Sequence, residues 1–357
     1  MKKIKILLTF DYELPLGAAT DYNRALFKPA DQLIQQADQL GVPVVLFTDI
    51  CSAIRFKEWD EQRFYRPFKD QLQKALKNGH DVQLHTHPHW LNSTFSEKGF
   101  IPSLDFSLSD FKDGKAGWTI ERIIDQAFKE LSGIAREVMP EYECIAFRAG
   151  GYDVEPESKR ILNKLYELGI RLESSVIKEL YLDYNFSHID YTGSPATSQW
   201  TISKDGPLIK PSQPDLLELP ISSRPISLLD IMSRRVRKIV NGKEYKSRTY
   251  ANGGKGFAAV QGTQNLKSKW RKIFNPAVLS LDKEYVEYKD LKSIVDYNVE
   301  KYKSEKNDLV LTVIGHPKSM GEYHLQLMKE FVEGMRNQFG DQVSFVTYRD
   351  LKFNQHA

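Results

Sequence analysis

Asp81-Val82-Gln83-Leu84-His85-Thr86-His87-Pro88-His89-Trp90 places three of the chain's eight histidines within five residues, directly behind a short apolar run. Pro88 disfavours α geometry at His87 and removes a backbone donor, so the cluster is not helical. Asp81 to Leu84 reads as a buried strand, with the imidazoles on the loop leaving its C-terminal end. In barrels and open α/β sheets that end carries the chemistry. Imidazole suits zinc and similar first-row metals, and a catalytic zinc commonly takes three protein ligands plus a water. Two of these histidines and one carboxylate from elsewhere would make such a site. The competing account is structural: histidines that cap the strand or hydrogen-bond to one another. A carboxylate at the end of a second strand decides between the two.

Working outward, Ile4 to Phe10 is a buried strand that runs into Asp11-Tyr12-Glu13, polar residues that packing explains poorly although a turn explains Asp11. Helical spacing covers Pro29 to Leu40 and stops at Gly41, a glycine cap; Val42 to Thr48 is a strand followed by Asp49, and Glu61 to Asn78 a helix closed by Gly79. Strand and helix alternate up to the histidine strand, which predicts a parallel sheet with right-handed crossovers. Asn92 to Gly117 reads as a loop over the site, Trp118 to Val138 as a helix. The strand Glu143 to Phe147 enters Arg148-Ala149-Gly150-Gly151-Tyr152, where paired glycines suit either a backbone that closely approaches a ligand or a simple tight turn. Pro156 to Leu168 and Asp290 to Lys303 read as helices, Ile170 to Ser174 and Leu216 to Pro220 as strands. Leu309 to Ile314 is a strand followed by His316, then come a helix from Gly321 to Gln338 and a last strand from Val343 to Thr347.

With 357 residues and 41% hydrophobic content the chain can bury a large core, read here as one domain over residues 1–357. Cys51 and Cys144 match no disulfide or metal spacing and fit a reducing compartment. The N-terminus begins like a signal peptide, but Lys5 and Asp11 interrupt its apolar run, and no stretch reaches the roughly 20 apolar residues of a membrane span. A cytoplasmic protein is expected, peripheral to the inner membrane at most. Residues 225–285 form a basic insertion. From Arg234 to Lys272 there are twelve basic side chains against the single acid Glu244, and Asn252-Gly253-Gly254-Lys255-Gly256 suits no regular element. Such a stretch is commonly a solvated face; it also suits an anionic partner such as a phosphate group, an acidic glycan or a lipid headgroup. Nothing in it resembles a nucleic-acid recognition fold.

Asp11 with Glu13, His85 with His89, Arg148 with Gly151, and His316 all follow strands, and in a parallel sheet or barrel those ends converge on one face. Together they supply metal ligands, a spare carboxylate, a cation to hold it and a separate histidine, the inventory of metal-assisted amide or ester hydrolysis. The sequence here resembles the polysaccharide deacetylase superfamily, carbohydrate esterase family four. Thr9-Phe10-Asp11-Tyr12-Glu13 is similar to its opening Thr-Phe-Asp motif, and His85-Thr86-His87-Pro88-His89 to its pattern of histidines four apart. Phe147-Arg148-Ala149-Gly150-Gly151-Tyr152 is similar to its Arg-x-Pro-Tyr motif, and Val313-Ile314-Gly315-His316-Pro317 to its late histidine motif.

The resemblance implies an α/β fold, a distorted β/α barrel with about seven parallel strands, and the removal of N-acetyl groups from sugars. It implies Asp11 as general base, Glu13, His85 and His89 as ligands of zinc or another divalent transition metal, and Arg148 as the partner of Asp11. His316 would be the general acid, and the backbone around Gly151 and Tyr152 the oxyanion donor. The chain departs from the pattern in three places. Its second acid, Glu13, lies two positions after Asp11; Gly150-Gly151 replaces the proline with one extra residue; and the acidic partner of His316 has only Glu218 and Asp183 as candidates. Because alternate residues of an extended loop share a side, His87 stands open as a ligand in place of His89. His80, His188, His324 and His356 carry no supporting context, and Trp90, Trp118 and Trp200 suit either core packing or sugar stacking. The expected substrate is an N-acetylated sugar of a surface polysaccharide, capsule or glycolipid precursor, anionic or membrane-associated through residues 234–272. A non-sugar amide hydrolase on the same barrel and a non-catalytic glycan-binding relative are the rival readings.

Overall fold

The computed structural model describes residues 2–15, 21–96, 99–184, 187–206, 208, 215–248 and 274–351. The Asn252-to-Gly256 run, the basic residues from Lys255 to Lys272 and His356 lie outside these. At the centre is a nine-stranded sheet. In chain order its strands are β1 (Ile4–Tyr12), β2 (Val45–Asp49), β3 (Asp81–Thr86), β4 (Ala146–Ala149), β5 (Leu172–Glu173), β6 (Trp200–Ile202), β7 (Leu216–Glu218), β8 (Leu309–Gly315) and β9 (Val343–Phe345). They lie side by side as β6-β7-β5-β4-β3-β2-β1-β8, and β9 also pairs with β1. All pairs are parallel except β6 with β7, so the expected set of about seven parallel strands becomes eight with one antiparallel edge. The sheet curls into a half-barrel. Ile221, just beyond β7, bridges Thr312 of β8, so the chain leaving β7 comes back against the opposite side of the curl.

The crossovers are helices whose ends are set by local capping residues. Lys28–Leu40 ends where Gly41 turns left-handed at φ 60°, a conformation that a side chain disfavours. Ile120–Arg136 begins where the Thr119 hydroxyl accepts from the amide of Arg122. The helix Ile50–Trp59 escaped the sequence pattern because its buried residues, Ile50, Cys51, Ser52, Ala53 and Phe56, trace no clean helical stripe.

Alternation along the strands divides the sheet into two faces. Leu7, Val45, Phe47, Ala146, Leu172, Leu219 and Tyr348 pack together on one, inside the curl. Ile6, Leu8, Phe10, Leu46, Val82 and Leu84 pack on the other with helix residues such as Leu33, Leu72 and Ile124. Register then fixes what stands above the inner cluster. Asp11 lies opposite Phe47, Asp49 opposite His85, and His85 opposite Arg148. Polar side chains from four adjacent strands thus meet at the C-terminal mouth of the curl.

Candidate active site

Thr9, Asp11 and Glu13 share the inner side of β1 and its continuation because strand side chains alternate. For the same reason His87, still extended at φ −112° and ψ 91°, follows His85 to the same side. Glu13 Oε2 lies 3.3 Å from His85 Nε2 and also meets His87 Nε2, while Oε1 accepts from Lys318 Nζ at 2.7 Å. One ligand atom from each of Glu13, His85 and His87 lies within 4.8 Å of the others.

Several observations fit this trio to a metal cation. His85 Nδ1 stands 2.7 Å from the carbonyl oxygen of Arg148, which can only accept, so Nδ1 carries the proton and the Nε2 lone pair is turned toward Glu13. Burial disfavours charge on His85, but the carboxylates of Asp11, Glu13 and Asp49 outweigh it and raise its affinity for a proton; the same negative field attracts a metal. Burial would raise the Glu13 carboxyl, yet the neighbouring His87 and Lys318 hold it well below the usual range. A β-carbon on Gly150 would stand 2.5 Å from the Thr86 carbonyl oxygen and 2.7 Å from His87 Nδ1, so only glycine leaves room for that imidazole. Two imidazoles and one carboxylate are a donor set that zinc accepts.

His89, expected as the third ligand, is not among these groups. Pro88–Asn92 forms a tight 3-10 turn that carries the ring away, to centroid distances of 5.0 Å from Trp90 and 5.3 Å from Phe106. Burial, then the neighbouring His87, pushes its proton affinity far down, and neither ring nitrogen has a hydrogen-bond partner among the described residues. His89 is a neutral, packed ring, and His87 takes the place expected of it.

Arg148 is fully buried. Its guanidinium donates to Asp11 Oδ1 at 2.7 Å, to Thr9 Oγ1 at 2.9 Å and to the Ser174 carbonyl at 3.0 Å, and lies 4.1 Å from the Phe47 ring centroid. A buried charge so completely paired fixes its partner's position, and removing either member strands the other. Asp11 Oδ2 is left toward the site, 3.5 Å from His316 Nε2, which is also 3.7 Å from Glu13 Oε1.

The other nitrogen of His316, Nδ1, stands 2.6 Å from Asp282 Oδ2. Burial would raise the Asp282 carboxyl, but Lys283 and His316, with hydrogen bonds from His316 and Ser280, hold it well below the usual range. Asp282 is therefore the acidic partner of His316, and neither earlier candidate fills that role. Asp183 lies 3.2 Å from His188 on an exposed hairpin. Glu218 is buried opposite Glu173, one strand over. Lys318 and Asp49 also escaped the sequence reading as site residues. Asp49 Oδ1 accepts from the His87 amide at 3.0 Å and fixes that backbone.

Gly151 (φ 65°) and Tyr152 (φ 66°) are consecutive left-handed residues that turn the chain sharply beyond β4. Such a conformation costs a tyrosine roughly 1 kcal/mol or more, strain of a kind concentrated at functional sites. Burial, then the charges of Asp11 and Asp282, pushes the Tyr152 hydroxyl well above its usual range, so it keeps its proton. His80 and His324 serve structure: His80 Nδ1 accepts from the Val44 amide, and His324 Nδ1 from the Gly321 amide at the head of a helix. Trp90 and Trp200 are buried, and Trp118 is half-buried.

Glu218 yields a stability prediction. Burial, then the charge of Glu173, raises its carboxyl well above the usual range, so the folded protein favours the protonated form. With the folded pKa above the unfolded one, that contribution is complete below the ordinary carboxyl range and is lost as pH rises through the raised value. Glu218→Gln, which keeps the shape without the charge, is expected to be more stable than the natural protein at pH 8 by about 1 kcal/mol or more, roughly 2 °C in Tm, and no more stable at about pH 4. Thermal unfolding at the two pH values checks this.

No protein-family model matches the chain, and no curated protein matches it in sequence. Among solved structures it is similar to a "putative glycoside hydrolase/deacetylase" from Parabacteroides distasonis, with TM-score 0.52 and 12% identity over 97% of this chain and 69% of that one. A "putative polysaccharide deacetylase" from Mycobacterium smegmatis aligns at TM-score 0.48 and 12% identity, covering 98% and 88%. A polysaccharide deacetylase from Bacillus cereus aligns at 0.40 and 10%, covering 99% and 95%. The first likeness is one of fold. It agrees with the expected architecture, a distorted β/α barrel.

Proposed function

We propose that this chain is a metal-dependent hydrolase that removes the N-acetyl group of a sugar, on the precursor of a surface polysaccharide, capsule or glycolipid. The observation that carries the reading is the meeting of three groups from distant parts of the chain: Glu13 with His85 and His87, Asp11 held by Arg148, and His316 held by Asp282. Glu13, His85 and His87 would hold zinc or another divalent transition metal, which when bound supplies Lewis acidity to the acyl oxygen and acidifies water near neutral pH.

The side chains divide the remaining work. Arg148 occupies Oδ1 of Asp11, so Oδ2 is the oxygen that takes a proton from the attacking water. As water adds to the acetyl carbonyl, charge grows on its oxygen, and the backbone N–H groups of Gly151 and Tyr152 are the proposed donors to it. Collapse breaks the C–N bond. His316 delivers a proton from Nε2 to the departing amine, its Nδ1 held by Asp282, and acetate and a free amino sugar result. Lys318 keeps Glu13 turned toward the imidazoles.

A cytoplasmic precursor bearing phosphate suits the excess of basic residues from Arg234 to Lys272. Acetate release from chitooligosaccharides and from acetylated sugar-phosphate precursors tests the reading, with simple amides in parallel. Zinc-loaded protein is expected to release acetate, to lose that activity to a chelator and to regain it with zinc. Turnover of simple amides alone, or of nothing, would sink the proposal.

A further inference from the structure

We propose that the helix Leu228–Val240 is a membrane-docking element that lies on an anionic lipid surface. Between the paired strands Ser223–Arg224 and Ala277–Val278 the chain leaves the barrel, and this helix opens the excursion. Its inner side is tied to the body. Asp230, which with Ser227 caps the helix, pairs with Arg224 at 2.7 Å, and Arg237 pairs with Asp290 at 2.9 Å and Glu287 at 3.1 Å. The opposite side is therefore fixed outward.

That side is apolar. Leu228, Leu229, Met232, Val236, Ile239 and Val240 are between 59% and 83% exposed, and they make up six of the nine large hydrophobic residues exposed among the described ones. At 100° per residue the six fall within a single arc of about 120°. Exposed Arg235 and Lys238 run along one border of it, and exposed Lys243 and Lys246 follow in the next helix. Isolated exposed leucines need no explanation, but a contiguous aliphatic stripe on a helix pinned by half-buried ion pairs does.

Charge selects the occupant. From Ile231 to Phe274 the sequence has twelve basic residues and one acidic, leaving 38 basic and 46 acidic in the rest of the chain. The excess positive charge is thus confined to this excursion while the barrel is net negative, which would orient the helix toward an anionic surface. The following segment, residues 249–273, has five basic residues and no acidic one, so covering the stripe with it would bring like charges together. A second copy packed face to face would do the same. The stripe also lacks the aromatic anchors common at protein interfaces, whereas aliphatic residues flanked by Lys and Arg are the composition of helices that lie in a lipid interface.

The inference goes beyond the choice of substrate, because vesicle binding needs no turnover and survives if the deacetylase reading fails. The test is flotation of the full chain with phosphatidylcholine vesicles, with and without phosphatidylglycerol, at low and high salt. Binding to phosphatidylglycerol vesicles is expected to exceed that to pure phosphatidylcholine by about ten-fold or more and to weaken with salt. The triple variant Leu229→Gln, Val236→Gln, Ile239→Gln, which changes exposed residues, should lose about ten-fold or more of that binding with unchanged thermal unfolding. Arg235→Glu with Lys238→Glu should weaken binding to phosphatidylglycerol vesicles alone. Absence of vesicle binding, binding that the triple variant retains, or a dimer that the triple variant dissociates would each overturn the proposal.

Discussion

Replacing His87 by alanine is expected to weaken zinc binding by about 100-fold or more, whereas His89→Ala should keep the metal. Changes to second-layer partners alone commonly cost 10- to 100-fold in metal affinity, so loss of a ligand should cost at least that much. The two variants separate because Pro88 starts a tight turn between the two histidines. His87 remains extended, with His85, on the side facing Glu13; His89 turns away to pack against Trp90 and Phe106. His89→Ala should instead show as lost packing, about 3 kcal/mol of stability. Isothermal titration with zinc and thermal unfolding of the metal-free proteins read the two effects apart. If His89→Ala releases the metal and His87→Ala retains it, the ligand set assigned here is wrong. Gly150→Ala should resemble His87→Ala in milder form, because its methyl group would push on the His87 ring and the Thr86 carbonyl.

The residues legible in sequence were those whose polarity breaks an apolar strand. Asp11, Glu13, His85, Arg148 and His316 each follow such a run, and in a parallel sheet that position alone brings them together. Choosing between His87 and His89 needed one further rule, that an extended chain alternates sides, and the structure follows that rule as far as Pro88. Asp282 was missed for a different reason. It lies within the stretch assigned to the basic insertion, and a single bridge from Ser280 to Ile314 places it beside β8. A signal was present: Leu279-Ser280-Leu281-Asp282 alternates and ends in a carboxylate, as the other strand exits do. Lys318 left no such trace, since its approach to Glu13 depends on the turn Pro317–Ser319. The helix Leu228–Val240 was concealed by its arginines and lysines, which drew attention to net charge and away from the apolar stripe between them.

Asp282→Asn is expected to lower kcat for acetate release by about 10² to 10⁴-fold while leaving KM and metal content nearly unchanged. In other enzymes, a carboxylate behind a catalytic histidine sets which ring nitrogen carries the proton, and its amide replacement can reverse that choice at the upper end of this range. Here Asp282 Oδ2 accepts from Nδ1 at 2.6 Å, which leaves Nε2 aimed at the space beside Asp11 and Glu13. The carboxylate is itself held ionised by Lys283 and His316 and by the Ser280 hydroxyl, so at neutral pH it accepts and never donates. An asparagine can turn its NH2 toward Nδ1, forcing the proton onto Nε2 in a neutral ring that is a poorer acid, or leave the ring free to rotate. The split between kcat and KM separates this role from a structural one, because a collapsed site would lose substrate and zinc together. His316→Ala should match the loss, and adding Asp282→Asn to it should cost little more, since both act through the same imidazole. Full additivity of the two substitutions would mean that Asp282 does its work through some other group.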